Sequence, residues 1–90
     1  MNPGKGPASP HLSLTVKSTS GSFTDEFNRN NRAEKILDEA IKRFNLNRAA
    51  VYILKREADE RVLDPGEKLE DLGLNDGDVV LVQSDQAEDG

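Results

Sequence analysis

Leu69-Glu70-Asp71-Leu72-Gly73-Leu74-Asn75-Asp76-Gly77-Asp78-Val79-Val80-Leu81-Val82 carries three patterns in one run. Leu69, Leu72 and Leu74 are spaced to pack a short helical turn under a sheet. Asn75-Asp76-Gly77-Asp78 is turn chemistry, because asparagine, aspartate and glycine accept the dihedrals that turns need. Val79 to Gln83 is a β-branched, aliphatic strand. It is the most apolar run in the chain, so its expected place is the middle of a sheet.

Reading towards the N-terminus, Asp64-Pro65-Gly66-Glu67 is a further turn and Val62-Leu63 a very short strand. Arg56 to Arg61 is charged and reads as a loop. Ala50 to Lys55 (AVYILK) is another strand of β-branched, aromatic and aliphatic residues. Both apolar strands carry aliphatic residues on both faces, whereas a helix can cover only one face of a sheet. In one register Tyr52, Leu54, Val80 and Val82 face a helix, and Val51, Ile53, Val79 and Leu81 form an exposed patch. In the other register the two sets change places. Either patch is of the kind that receives a protein partner, and burial in a homodimer or under the chain ends is the competing account.

Ala33, Ile36, Leu37, Ala40, Ile41 and Phe44 recur on one helical stripe. Asn31 is placed to cap this helix, with Glu34 in the capping-box position. Asp38 with Lys42 and Glu39 with Arg43 are acid-first pairs four residues apart. Asn45 is a left-handed stop followed by the apolar Leu46. Before the helix, Leu12, Leu14 and Val16 alternate with polar residues, which is a half-buried strand. Ser18-Thr19-Ser20-Gly21 turns the chain into a second strand from Ser22 to about Asn28. Asp25 shares a face with Phe23 and Phe27. An inward charge discourages pairing with a further strand, so strand two is expected at a sheet edge. A hairpin followed by one long helix and further strands implies an α+β domain, a sheet with a single helix across one face.

Residues 1–10 (MNPGKGPASP) are small, polar, glycine or proline, and the expectation is a disordered head. Residues 84–90 are polar and acidic and are expected to form a flexible tail, which leaves 11–83 as the folded domain. The chain of 90 residues has no cysteine, which excludes disulfides, thiolate metal sites and a cysteine nucleophile and fits a cytoplasmic protein. It has no apolar run long enough for a membrane helix, and no apolar stretch follows the first residues as in a secretory signal. The formal net charge is −5. From Glu57 onward only Arg61 and Lys68 oppose a long series of acids. Such a surface repels phosphate backbones, so nucleic acid is not an expected partner. The single histidine, His11, has no evident catalytic partner, and no phosphate-binding loop, nucleophile elbow or calcium loop occurs. The expectation is a non-enzymatic monomer without metal or cofactor.

The element order, and residues 69–82 above all, resemble ubiquitin and its relatives. The likeness runs over roughly residues 11–90. The acidic turn, the glutamine-containing tail and His11-Leu12-Ser13-Leu14-Thr15-Val16-Lys17 look closest to the small ubiquitin-like modifier (SUMO) branch. The resemblance implies a ubiquitin-like β-grasp fold with a mixed four- to five-stranded sheet. It also implies a protein modifier: the terminal carboxylate of Gly90 would be adenylated, passed to an enzyme thiol and joined to a target amine. Its partners would be activating and conjugating enzymes, a deconjugating protease and the target proteins. Glycine lets the backbone thread a narrow channel. Conjugated relatives end in two glycines, whereas this chain ends Glu88-Asp89-Gly90. Asp89 would bring a negative charge into that channel and call for a basic residue there.

The alternative is a non-covalent interaction domain that uses the sheet patch. A weaker alternative is a sulfur carrier, with Gly90 as a thiocarboxylate. A last feature implied by the SUMO resemblance is a groove between strand two and the helix, which would accept an extended peptide by strand addition. Here Phe27, Arg29, Arg32 and Lys35 would line it, and Asp25 and Glu26 on the same strand oppose an acidic peptide.

Overall fold

The computed structural model describes residues 10–84. Within them β1 is His11–Ser18, β2 Gly21–Asn28, α1 Glu34–Phe44, β3 Tyr52–Arg56, β4 Arg61–Leu63 and β5 Val79–Ser84. The strands form one five-stranded sheet in the order β2-β1-β5-β3-β4. β1 and β5 run parallel, and the other neighbours are antiparallel. The apolar β5 is thus central and β2 is an edge, as the two patterns required.

One face of the sheet packs the core. Leu12, Leu14 and Val16 of β1, Leu54 of β3, and Val80 and Val82 of β5 are buried with Ala33, Ile36 and Ala40 of the helix. Leu69, Leu72 and Leu74 close the end of this core. Their segment is a series of turns rather than an assigned helix, with Leu72 N–H donating to the Lys68 carbonyl at 3.1 Å. The buried helical stripe is narrower than expected: Leu37, Ile41 and Phe44 are only half-buried.

The start of α1 departs from the sequence reading. No side chain caps it. Asn31 Oδ1 instead accepts from the backbone N–H of Asn28 at 3.2 Å. The N–H groups of Ala33 and Glu34 donate to the carbonyls of Glu67 and Pro65, each at 2.9 Å. A strap at 65–70 therefore satisfies donors that a capping side chain would otherwise take. The same strap bonds back through Leu69 N–H to the Asn31 carbonyl at 2.9 Å. The other end follows expectation. Asn45 adopts a left-handed conformation (φ 55°, ψ 48°), and Leu46 N–H donates to the Ile41 carbonyl at 3.0 Å. Arg43 approaches Glu39 at 3.7 Å as expected, whereas Lys42 pairs with Glu39, also at 3.7 Å, instead of Asp38.

The turn before β5 grips β1. Gly77, at φ 91°, donates its N–H to the Ser13 carbonyl at 2.7 Å, and Asp76 Oδ1 accepts from Ser13 N–H at 2.6 Å. This lateral bonding sets β5 beside β1 and fixes which β5 side chains enter the core. Strand three begins at Tyr52 rather than Ala50, and β5 extends one residue past the expected domain limit at Gln83.

Candidate functional site

The register settles which face of the apolar strands is uncovered. Val80 and Val82 are buried, so Val79 and Leu81, alternating with them, point away from the helix. Leu54 is buried, so Ile53 and Lys55 share the outer face. Val79, Leu81 and Ile53 are half-buried. Val51 is 63% exposed but precedes β3, so it borders the strand patch instead of lying within it.

The outer face also includes residues that sequence reasoning did not single out. Lys17 and Lys55 are both in register with Leu81, one from each side. Val62, 59% exposed, pairs with Lys55, and Gln83 pairs with Ile53. A row Lys17–Leu81–Lys55–Val62 thus crosses four strands. Lys17 Nζ donates to Glu57 Oε2 at 2.9 Å. The missing signal was pairing: strand alternation puts each residue on a face, but only the parallel β1–β5 register brings Lys17 to Leu81.

The expected peptide groove is not assembled as a set. Phe27 is 3% exposed and belongs to the core, so its ring offers nothing to a peptide. The reason is the pleat, which sends Phe23, Asp25 and Phe27 to the helix side. Arg32 Nε donates to the Gly66 carbonyl at 3.0 Å, which ties it to the strap. Arg32 and Lys35 do share a polar hollow with Asn30, Asn31, Glu34 and Asp38 at the start of α1. Arg29 is half-buried, with its N–H donating to the Pro10 carbonyl at 2.8 Å. Gly90, Asp89 and Glu88 lie outside the described residues.

Among the described residues no group of three or more histidines and carboxylates is placed to hold a metal ion. Among the described residues no helix is long and apolar enough to cross a membrane.

No family model matches the chain, and no curated protein matches it. Solved structures do. A de novo designed protein based on ubiquitin is 14% identical with a TM-score of 0.76, covering 92% of this chain and 99% of that one. Caldiarchaeum subterraneum ubiquitin is 20% identical with a TM-score of 0.71, covering 87% and 98%. A structure described as molecular mimicry of SUMO that promotes DNA repair is 17% identical with a TM-score of 0.72, covering 84% and 94%. These likenesses do not separate the SUMO branch from the other ubiquitin-like proteins. With its mixed five-stranded sheet and one helix across a single face, the chain has the ubiquitin-like β-grasp fold.

Proposed function

We propose that the chain is a ubiquitin-like protein-recognition domain, with no catalytic step of its own, that binds protein partners through the outer face of β1, β5, β3 and β4. The observation that carries this is the group of half-buried Val79, Leu81 and Ile53 with exposed Val62 on the outer face of a sheet whose other face packs the core. Apolar surface grouped in this way is removed from water favourably only by a partner. The test is affinity capture from the source cell with wild type, Ile53→Asp, Leu81→Asp and, as a control on β2, Glu26→Lys. Partners captured by wild type and the control but lost with both aspartate variants support the reading. Equal capture by all four sinks it, provided circular dichroism shows the variants folded.

The second reading is a covalent modifier joined to target amines through Gly90. Archaeal ubiquitin, aligned over 98% of its own length, favours it. Adducts that survive denaturant and vanish on deletion of Gly90 would establish it. Such adducts are compatible with the outer face being read by activating, conjugating and deconjugating enzymes.

A further inference from the structure

Asp76-Gly77 is one of two Asp-Gly pairs in the chain, Asp89-Gly90 being the other. In such a pair no Cβ on the second residue hinders its peptide nitrogen from approaching the aspartate side chain. Asp76 and Gly77 are both exposed, and nothing stands within 4 Å of the place a Gly77 Cβ would take. Burial therefore does not protect the pair. What restrains it is one residue of the neighbouring strand. The Ser13 carbonyl accepts the Gly77 N–H at 2.7 Å, and the Ser13 N–H donates to Asp76 Oδ1 at 2.6 Å. The nitrogen that would attack and the carboxyl group it would attack are thus both bonded to Ser13. The same turn is closed by Asn75 N–H donating to Asp78 Oδ2 at 2.9 Å, and is tied to β1 again by Thr15 N–H donating to the Asp78 carbonyl at 3.1 Å.

We propose that Asp76 is a latent isoaspartate site, kept as aspartate by its paired bonds to Ser13 and released when the turn lifts from β1. On release the Gly77 nitrogen attacks the side-chain carboxyl carbon of Asp76. A C–N bond forms, and the amide hydrogen leaves with the carboxylic acid OH as water, which closes a five-membered succinimide. Water then opens the ring. Attack at the main-chain carbonyl carbon breaks its bond to the Gly77 nitrogen and gives isoaspartate, whose main chain runs through the former side chain. The chain is then one carbon longer between the two residues and the free carboxylate one carbon shorter, so the two bonds to Ser13 do not re-form together. Because this turn sets β5 beside β1, the product loosens the central parallel pair of the sheet. The step needs water alone, so the site accumulates a record of how often this seam has opened. Openings of this kind are local and occur without global unfolding.

The test is prolonged incubation of the full chain in mildly acidic buffer, folded and in urea, beside a peptide of residues 69–82. Endoproteinase Asp-N cuts before aspartate but not before isoaspartate, so digestion with mass spectrometry separates product at 76 from product at 89. Isoaspartate at 76 should form at least roughly tenfold more slowly in the folded chain than in urea or in the peptide. In sub-denaturing urea its rate should rise in step with hydrogen exchange at the Gly77 amide. Ser13→Pro removes the N–H that holds Asp76 and should speed the reaction in a chain that circular dichroism shows folded; if that variant does not fold, the exchange comparison decides. The purified product should melt at a lower temperature than the parent. Equal rates in the folded chain and the peptide overturn the protection by Ser13. Absence of product at 76 even in the peptide overturns the site, and an unchanged melting temperature overturns the loosening of β5.

Discussion

Arg43 donates from Nη2 to Asp25 Oδ2 at 2.9 Å, across the seam between the last turn of α1 and the edge strand β2. The guanidinium carbon also stands 4.5 Å from the centre of the Phe23 ring, and Phe23 meets Phe44 at 5.4 Å between centroids. The inward acid of β2 is therefore part of a latch that ties the edge strand to the helix. Both ion-pair partners are more than a third exposed, so the pair itself contributes less than about 1 kcal/mol. Arg43→Ala also loses the ring contact and should cost about 1–2 kcal/mol in urea unfolding. Asp25→Asn should cost less than about 1 kcal/mol. Equal losses from the two would assign the whole effect to the ion pair.

Asp25 has a second consequence at the same position. β2 exposes one side of its ladder, and an inward charge limits what can pair there. Asp25→Val should change monomer stability little but raise self-association, read by sedimentation velocity over a range of concentrations. A strictly monomeric Asp25→Val would show that Arg43 and the helix protect the edge without the acid.

Arg56 joins the β3–β4 loop to the segment before β5. Its Nη1 donates to the Gly73 carbonyl at 3.1 Å, and its guanidinium lies 3.4 Å from Asp59 and 3.7 Å from Asp78. The side chain is only 15% exposed, and Nε is buried without a hydrogen bond of its own. A lysine ammonium cannot span these directions at once. Arg56→Lys should cost about 1–2 kcal/mol, with amide shifts in both 57–60 and 73–78. Shifts confined to 57–60 would show that the Gly73 contact is idle.

Asn45 sits at φ 55°, where residues other than glycine are strained. Asn45→Gly should hold or raise stability by a few tenths of a kcal/mol, and Asn45→Ala should lower it by about 1 kcal/mol. The pair is compared by thermal unfolding. A drop for both would mean that the asparagine side chain contributes beyond its backbone conformation.

Much of this fold was legible because its signals are local. Leu12, Leu14 and Val16 alternate, Asn45 stops the helix, and Asp25 marks an edge, each from a few neighbouring residues. What could not be read depends on distant chain. Asn31 looks like a cap, but the strap at 65–70 supplies carbonyls to the helix start and frees Asn31 to bond Asn28. Phe27 shares the inward face with Asp25, so its burial follows from the strand pattern, and only the SUMO resemblance put it in a peptide groove. The site was half legible. The aliphatic alternation of β3 and β5 gave Ile53, Val79 and Leu81 as one of two candidate sets. Lys17, Lys55 and Val62 join them only through strand pairing, which no local pattern encodes.

Adjacent residues of β5 give the sharpest check on the face assignment. Val80 has no exposed surface, whereas Leu81 points outward and is only half-buried. Val80→Asp places a carboxylate in the core, where its cross-strand neighbour Arg56 is already held by Gly73, Asp59 and Asp78, and removes aliphatic packing, a loss of about 4 kcal/mol or more. For a domain of this size that approaches total stability, so the variant should be largely unfolded by circular dichroism at room temperature. Leu81→Asp sits between Lys17 and Lys55, and its urea midpoint should move by less than about 1 kcal/mol equivalent. The two substitutions alter charge and side-chain type in the same way one position apart, so strand propensity cannot separate them. Only the facing of the strand can. A folded Val80→Asp beside an unfolded Leu81→Asp would invert the sheet and move the candidate site to the other set of residues.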